Sequence, residues 1–321
     1  MYLNLSKILF FNIMTIGVMI SASSNNWINM WTGMEIGVLS IVPLMTQDKI
    51  SSDSSIKYFI VQSISSSMMI MSLMSMNSEI NFKMVMLMSM LVKIGSSPFH
   101  VWVLSIIEGL SYYTMFMLFT LVKIPGMISL SMLNEQVHMW SIMSMIIGSI
   151  MAINQSSIKK LLSYSSIYNL GLMMSSINEN QIWLNYMFVY SISLFMLIFM
   201  LSSLKVIYLN QMILNEIESM TKITIWILMM SMAGLPPLMG FSMKMMVLEK
   251  MIMKKEILMS MIVMLSSIII IFLYMRISFT AMMMKSTLNK WMTAKTSNIS
   301  FKILILNFSF TPMVLTMKSL V

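Results

Sequence analysis

A chain of 321 residues that is 58% hydrophobic and 10% charged, with a mean hydropathy of +0.85, is not a soluble domain, which would carry about a quarter charged residues. Its formal net charge of +9 does not signal nucleic acid, because the basic residues are scattered among short loops with no stripe of interleaved aromatics. Zero cysteines exclude thiolate-held iron–sulfur clusters and cysteine-type zinc within the chain, and the two histidines, His100 and His138, lie on different segments and make no bis-histidine haem.

Hydropathy predicts an all-α polytopic membrane protein embedded in the lipid bilayer. Its transmembrane helices, about eleven, fall near 5–22, 27–45, 56–75, 84–104, 112–133, 138–153, 158–177, 182–204, 223–248, 257–280 and 299–319. Each is close to the ~20 residues that cross a bilayer core; the sixth is short, and the fourth and ninth are interrupted. The first run lacks a convincing small-residue cleavage site, so no cleavable presequence is expected. No Gly-rich turn joins a strand to a helix, which excludes dinucleotide binding. The 49 methionines suggest either copper(I) ligands or a flexible apolar filler. They occur in almost every span without fixed spacing, which favours filler.

Span 1 holds no acidic residue and reads as packing or anchor. Span 2 carries Glu35 near its middle, where a carboxylate either neutralises or pairs with a cation. The polar stretch 46–55 reads as a loop, and Lys57 after it snorkels to the headgroups. Span 4 ends in Leu91-Val-Lys-Ile-Gly-Ser-Ser-Pro-Phe-His-Val-Trp102. Lys93 there is a cation in hydrocarbon, costing about 2.5–3.5 kcal/mol on insertion scales, so it is expected to face protein or a water-filled cavity. The Gly/Pro break beside it frees backbone carbonyls, tolerated only where protein or water satisfies them. Glu108, beyond it, is either a gate or a solvated interface residue. Span 5 sets Lys123 against Pro125 and Gly126, and a proline kink there would open the site to water.

Lys159 and Lys160 open span 7 and mark a membrane face. The row Ser163, Tyr164, Ser165, Ser166, Tyr168 and Asn169 either holds a water wire or glues helices together. In span 9, Gly234, Pro236, Pro237 and Gly240 interrupt the helix and Lys244 follows. Two Gly/Pro-interrupted spans in corresponding positions point to inverted repeats. The repeats would be about 1–133 and 138–280, with an extra C-terminal helix about 299–319. Lys7, Lys49, Lys159, Lys160, Lys205, Lys222, Arg276, Lys285, Lys290 and Lys295 fall on the N-terminal face. Lys83, Lys250, Lys254, Lys255 and Lys318 fall opposite, which makes the N-terminal face the cytoplasmic or matrix side.

The segments Ser6-Lys-Ile-Leu-Phe, Trp31-Thr-Gly-Met-Glu-Ile, Ser55-Ile-Lys-Tyr-Phe, Lys93-Ile-Gly-Ser-Ser-Pro-Phe-His, Glu108-Gly, Asn154-Gln, Ser165-Ser-Ile and Gly234-Leu-Pro-Pro-Leu-Met-Gly-Phe with Lys244 run in one order through most of the chain. In them the sequence resembles the chain 2 family of mitochondrial NADH–ubiquinone oxidoreductase (respiratory complex I) of invertebrates. The resemblance implies an antiporter-like subunit of the mitochondrial inner membrane, with its N-terminus on the matrix side and other complex I membrane subunits, including antiporter-like ones, as partners. It implies no cofactor in this chain; NADH, FMN, iron–sulfur clusters and ubiquinone belong to partner subunits. Invertebrate mitochondrial codes, which read an extra codon as Met, would account for the methionines. Carried over by position, Glu35 is the acid of a charge pair, Lys93 its partner on the broken helix, Lys123 the central relay and Lys244 the lysine of the second broken helix. Trp102 is followed by Val103 and Leu104 where the family has x-Pro, and Ser105 replaces the usual acid or amide. Tyr168 and Asn169 stand where the family has Asn-His, so hydroxyls and water would have to serve as relay there. Three readings stay open: a proton-translocating subunit of a redox-driven pump, a stand-alone proton/cation antiporter, and a scaffold whose buried charges are structural.

Overall fold

The computed structural model describes residues 5–46, 49–75, 79–133, 137–214, 219–236, 238–283 and 298–319. Among these the regular structure is helical, apart from one isolated antiparallel bridge between Ser157 and Tyr208. The chain divides into two compact units, Met1–Trp140 and Ser141–Val321. Six helices are long and apolar enough to cross a membrane by length and composition.

The first unit contains α1 (Leu5–Ser23), α2 (Trp27–Met45), α3 (Lys49–Met74), α4 (Glu79–Ile94), α5 (Val101–Ile107), α6 (Tyr112–Phe119) and α7 (Lys123–Leu133). α8 (His138–Ala152) carries the boundary. α1 and α2 touch through backbone: a Cβ on Gly17 would sit 2.8 Å from the Gly33 carbonyl oxygen and 2.9 Å from the Gly37 nitrogen. With no hydrophobic drive between helices in lipid, small residues that admit such approach supply the packing energy. Glu35 lies between Gly33 and Gly37, so this contact also sets where the carboxylate stands.

α3 corrects the sequence reading. The stretch 49–55, read as loop, is its first two turns. Its serines bond their own helix: Ser54 Oγ donates to the Ser51 carbonyl and Ser55 Oγ to the Ser52 carbonyl, both at 2.7 Å. Hydroxyls satisfied in this way can be buried in a helix. Lys57 is exposed, as a snorkelling lysine should be.

The predicted fourth span is broken into α4 and α5, and the ninth into α12 (Ser219–Ala233) and α13 (Met239–Met253). The fifth is interrupted as well: residues 120–122 form a turn between α6 and α7. Pro125 lacks the amide hydrogen that a continuous helix would direct at Leu121. The Val122 amide instead reaches back five residues to the Met117 carbonyl at 3.3 Å.

The second unit contains α9 (Ile158–Ser175), α10 (Asn180–Leu204), α11 (Leu209–Leu214), α12, α13, α14 (Ile257–Met283) and α15 (Asn298–Ser319). α9 is buried on every side from Leu161 to Met174, packed against α10 and α13. Its hydroxyl-rich sequence therefore faces protein throughout. A Cβ on Gly148 of α8 would lie 2.7 Å from the Tyr168 amide nitrogen, and one on Gly171 of α9 would lie 2.9 Å from that of Met145. Outside the core, Lys254 pairs with Glu179 at 3.1 Å, and Arg276 Nη2 donates to the Ile153 carbonyl at 2.7 Å. The first joins the ends of α10 and α13, and the second ties the residue after α8 to the side of α14.

Lys222, read as a loop residue, sits in the first turn of α12 and is buried. The short α11 was not anticipated. Pro237, Lys285, Lys290 and Lys295 lie outside the described residues, as do the side chains of Lys49 and Lys318.

Candidate functional site

α4 ends because Gly95 takes a left-handed backbone, φ +74°. The Ser96 amide donates to the Leu91 carbonyl at 3.2 Å and the Gly95 amide to that of Val92 at 3.2 Å. This is the Schellman pattern, which closes the last carbonyls of a helix. No other residue fits: a Cβ on Gly95 would collide with Val103 Cγ2, on top of the cost of a positive φ. Side chains reach the same end of the helix. Gln62 Nε2 donates to the Lys93 carbonyl at 3.2 Å, and Trp102 Nε1 donates to the Val92 carbonyl at 3.1 Å.

Lys93 thus stands in the last turn of α4, where a cation complements the helix dipole. Its Nζ lies 3.0 Å from Glu35 Oε1; the lysine is 6% exposed and the glutamate 24%. The sequence proposed both residues, and the structure brings them together. Met34 Sδ, 3.8 Å from the same nitrogen, completes the visible surroundings of the ammonium. A cavity of about 30 Å³ adjoins it, lined by Gln62, Lys93, Ile94, Val122 and Pro125 among others. That is room for a water, with polar groups to hold it. The cavity abuts the start of α7, where Lys123 is 3% exposed. Its Nζ stands 5.1 Å from the centroid of the Phe119 ring, a cation–π contact from the turn before it. Among the described residues this unit thus buries Lys93 and Lys123, with Glu35 beside the first.

The second unit repeats the break. Gly234 has φ +79°; the Leu235 amide donates to the Met230 carbonyl at 3.3 Å and the Gly234 amide to that of Ser231 at 3.2 Å. The lysine is placed differently. Lys244 belongs to α13, beyond the break, and its Nζ donates to the Ala233 carbonyl of α12 at 2.6 Å. The same nitrogen stands 5.2 Å from the centroid of the Tyr168 ring. A cavity of about 20 Å³ touches Lys244, Asn169, Tyr186, Tyr190, Ser193 and Ser231. Tyr186 donates to Asn169 Oδ1 at 2.7 Å, while the buried hydroxyls of Tyr168, Tyr190 and Tyr274 lie toward Ser266, Ser166 and Ser165. Tyr168 and Asn169 thus put a phenol and an amide against the lysine.

Glu108 is exposed at the end of α5. Among the described residues no group of three or more His, Asp or Glu side chains is placed to hold a metal. Several methionine sulfurs accept hydrogen bonds in the core, Met86 from Ser72 at 3.2 Å and Met90 from Ser129 at 2.9 Å. Sequence reasoning missed Tyr58, Gln62 and the indole of Trp102, because nothing in an apolar run marks which residue will face a break in another helix.

Residues 24–271 match the NADH:quinone oxidoreductase/Mrp antiporter transmembrane family. The chain is 30% identical to NADH-ubiquinone oxidoreductase chain 2 of Anopheles gambiae, over 95% of this chain and 94% of that one. It is 34% identical to the protein of the same name from Locusta migratoria, over 92% and 90%. Its fold is similar to a chain of respiratory complex I from Thermus thermophilus, with a TM-score of 0.82 at 17% identity, covering 96% of this chain and 78% of that one. The broken helices, the buried lysines and these likenesses agree: the chain belongs to the antiporter-like membrane proteins of the NADH-ubiquinone oxidoreductase chain 2 family.

Proposed function

We propose that this chain translocates protons across the mitochondrial inner membrane as a non-redox subunit of NADH:ubiquinone oxidoreductase. The observation that carries the reading is the Lys93–Glu35 pair, 3.0 Å apart at the break of α4, with Lys123 and Lys244 buried at the other two interruptions. A lone cation at that depth is costly, and a neighbouring carboxylate offsets much of the cost. Drawing Glu35 away from Lys93 therefore favours release of a proton, and bringing it back favours uptake. Lysine suits the task because its protonation responds strongly to burial and neighbours. The groups titrate as a set rather than one by one.

The chain has no cysteine to hold a cluster. Electrons would pass through FMN, iron–sulfur clusters and ubiquinone in partner subunits, from NADH. Each proton moved against the membrane potential requires roughly 2.3 kcal/mol per 100 mV, supplied by quinone reduction elsewhere. The two broken helices are assigned to two inverted repeats, about 1–133 and 138–280, with the N-terminus on the matrix side and other antiporter-like subunits as neighbours.

The family also includes Mrp antiporters, so an independent proton/cation exchanger is the rival. A native gel of the source membranes, stained for NADH dehydrogenase activity and probed for this chain, separates them. Comigration with the active high-mass band is expected. A lone low-mass band from intact, properly solubilised membranes would replace the pump with the exchanger.

A further inference from the structure

α3 is inverted relative to an ordinary amphipathic helix. Its apolar residues face outward: Ile56 is 58% exposed, Ile60 50% and Met71 70%. The buried face is polar, formed by Ser51, Ser54, Ser55, Tyr58, Gln62 and Ser65, each at most 4% exposed. These positions recur every three or four residues and so share one side of the helix. They lie against α2, α4 and α5, the helices that pack on α3. Packing does not require such a face, since methionine or leucine would fill it without polar atoms.

Two observations give the seam a direction. Gln62 at its middle donates to the Lys93 carbonyl; a carbonyl only accepts, so the amide nitrogen is fixed there and Oε1 is the acceptor beside the cavity. One turn toward the start of α3, the Tyr58 hydroxyl is fully buried without a protein hydrogen-bond partner. It lies close enough to Glu35 to feel its charge. Its ring is fixed against Trp102, centroids 6.0 Å apart. A buried, unpaired phenol beside a carboxylate is costly unless water reaches both.

We infer that the buried face of α3 is a proton path, running from the membrane face where α2 ends and α3 begins, past Ser51, Ser54 and Ser55, through the Tyr58 hydroxyl to Glu35. A water in the seam passes a proton to the phenol oxygen as the phenol passes its own to a second water, which passes one of its protons to the Glu35 carboxylate. The phenol ends neutral, and a rotation of the hydroxyl resets it. Gln62 is a positioning residue: it holds the Lys93 end of the path and orients the water in the cavity. Ser54 and Ser55 satisfy their own donors within the helix and keep oxygen lone pairs for water.

The inference rests on the proposed function, so the test runs Tyr58→Phe and Lys123→Met side by side in the assembled complex. Phenylalanine keeps the contact with Trp102 and removes only the hydroxyl. Coupled NADH:ubiquinone turnover should fall by ~100-fold or more, within the usual range for a lost proton-transfer group. The KM for NADH and quinone should be unchanged and the solvent deuterium isotope effect larger. Ser54→Ala combined with Ser55→Ala should act in the same direction, whereas Ser63→Ala on the exposed face should leave turnover unchanged. Should Tyr58→Phe not assemble, the serine pair decides alone. Wild-type turnover and isotope effect in these variants, with Lys123→Met impaired, would overturn the path. An unimpaired Lys123→Met would overturn the proton-translocation reading beneath it.

Discussion

Glu35→Gln is expected to lower both the stability of the first unit and its activity. The substitution keeps the shape of the side chain and removes the charge 3.0 Å from Lys93 Nζ. Lys93, 6% exposed, then has an amide where it had a carboxylate. Removing one partner of a buried pair costs about 3–5 kcal/mol because the other charge stays buried. Glu35 retains 24% of its surface, so the lower end of that range applies. Under the proposed function, the same change takes away the group whose approach and withdrawal would govern the proton on Lys93. Coupled proton translocation should be lost, and the solubilised complex should unfold at a lower temperature. Glu35→Gln combined with Lys93→Met should recover stability without recovering activity, since no uncompensated charge remains. Thermal unfolding and proton uptake by membrane vesicles, measured on the same preparations, check both parts.

Lys244→Met should fail differently. Lys244 is the donor to the Ala233 carbonyl at the end of α12, and its chain packs over Gly234, where a Cβ would lie 2.9 Å from Lys244 Cδ. Methionine fills similar space but leaves that carbonyl buried without its donor, a loss of about 1–3 kcal/mol. It also removes the cation beside Tyr168. The expected outcome is a complex that still assembles, with mild destabilisation and coupled turnover reduced by ~10-fold or more. Lys244→Arg keeps a charge, but its planar fork does not match a point ammonium at 2.6 Å from one oxygen. It should restore stability better than turnover. Assembly on a native gel together with NADH:ubiquinone turnover separates the two effects.

The helical, membrane-embedded character and the breaks at Gly95 and Gly234 were legible in the sequence for a physical reason. Hydrocarbon demands apolar runs, and Gly95 and Gly234 mark the only kind of residue that turns left-handed there cheaply. Glu35, Lys93, Lys123 and Lys244 stood out as charges where charge is expensive. What the sequence did not carry is direction. The serines of α3 read as a loop because polarity at a span's start usually means water, whereas here it means the protein side of a helix whose other side meets lipid. Lys222 was misplaced by the same reasoning. α9 gave no sign that it is buried all round, since that follows from α10 and α13 packing on it. Gln62 acts through a carbonyl thirty-one residues away, a contact that only the tertiary fold creates.

The central claim is that these buried lysines move protons for electron transfer that takes place elsewhere. Lys123→Met addresses it most directly, because Lys123 is 3% exposed and methionine is an apolar residue of similar length that the site can hold. The measurement is proton translocation and NADH:ubiquinone turnover in vesicles carrying the fully assembled variant complex. Near-complete loss of pumping, with assembly and NADH oxidation by an artificial acceptor intact, is the predicted result. Wild-type pumping and turnover would contradict the account and leave Lys123 a structural cation in a scaffold.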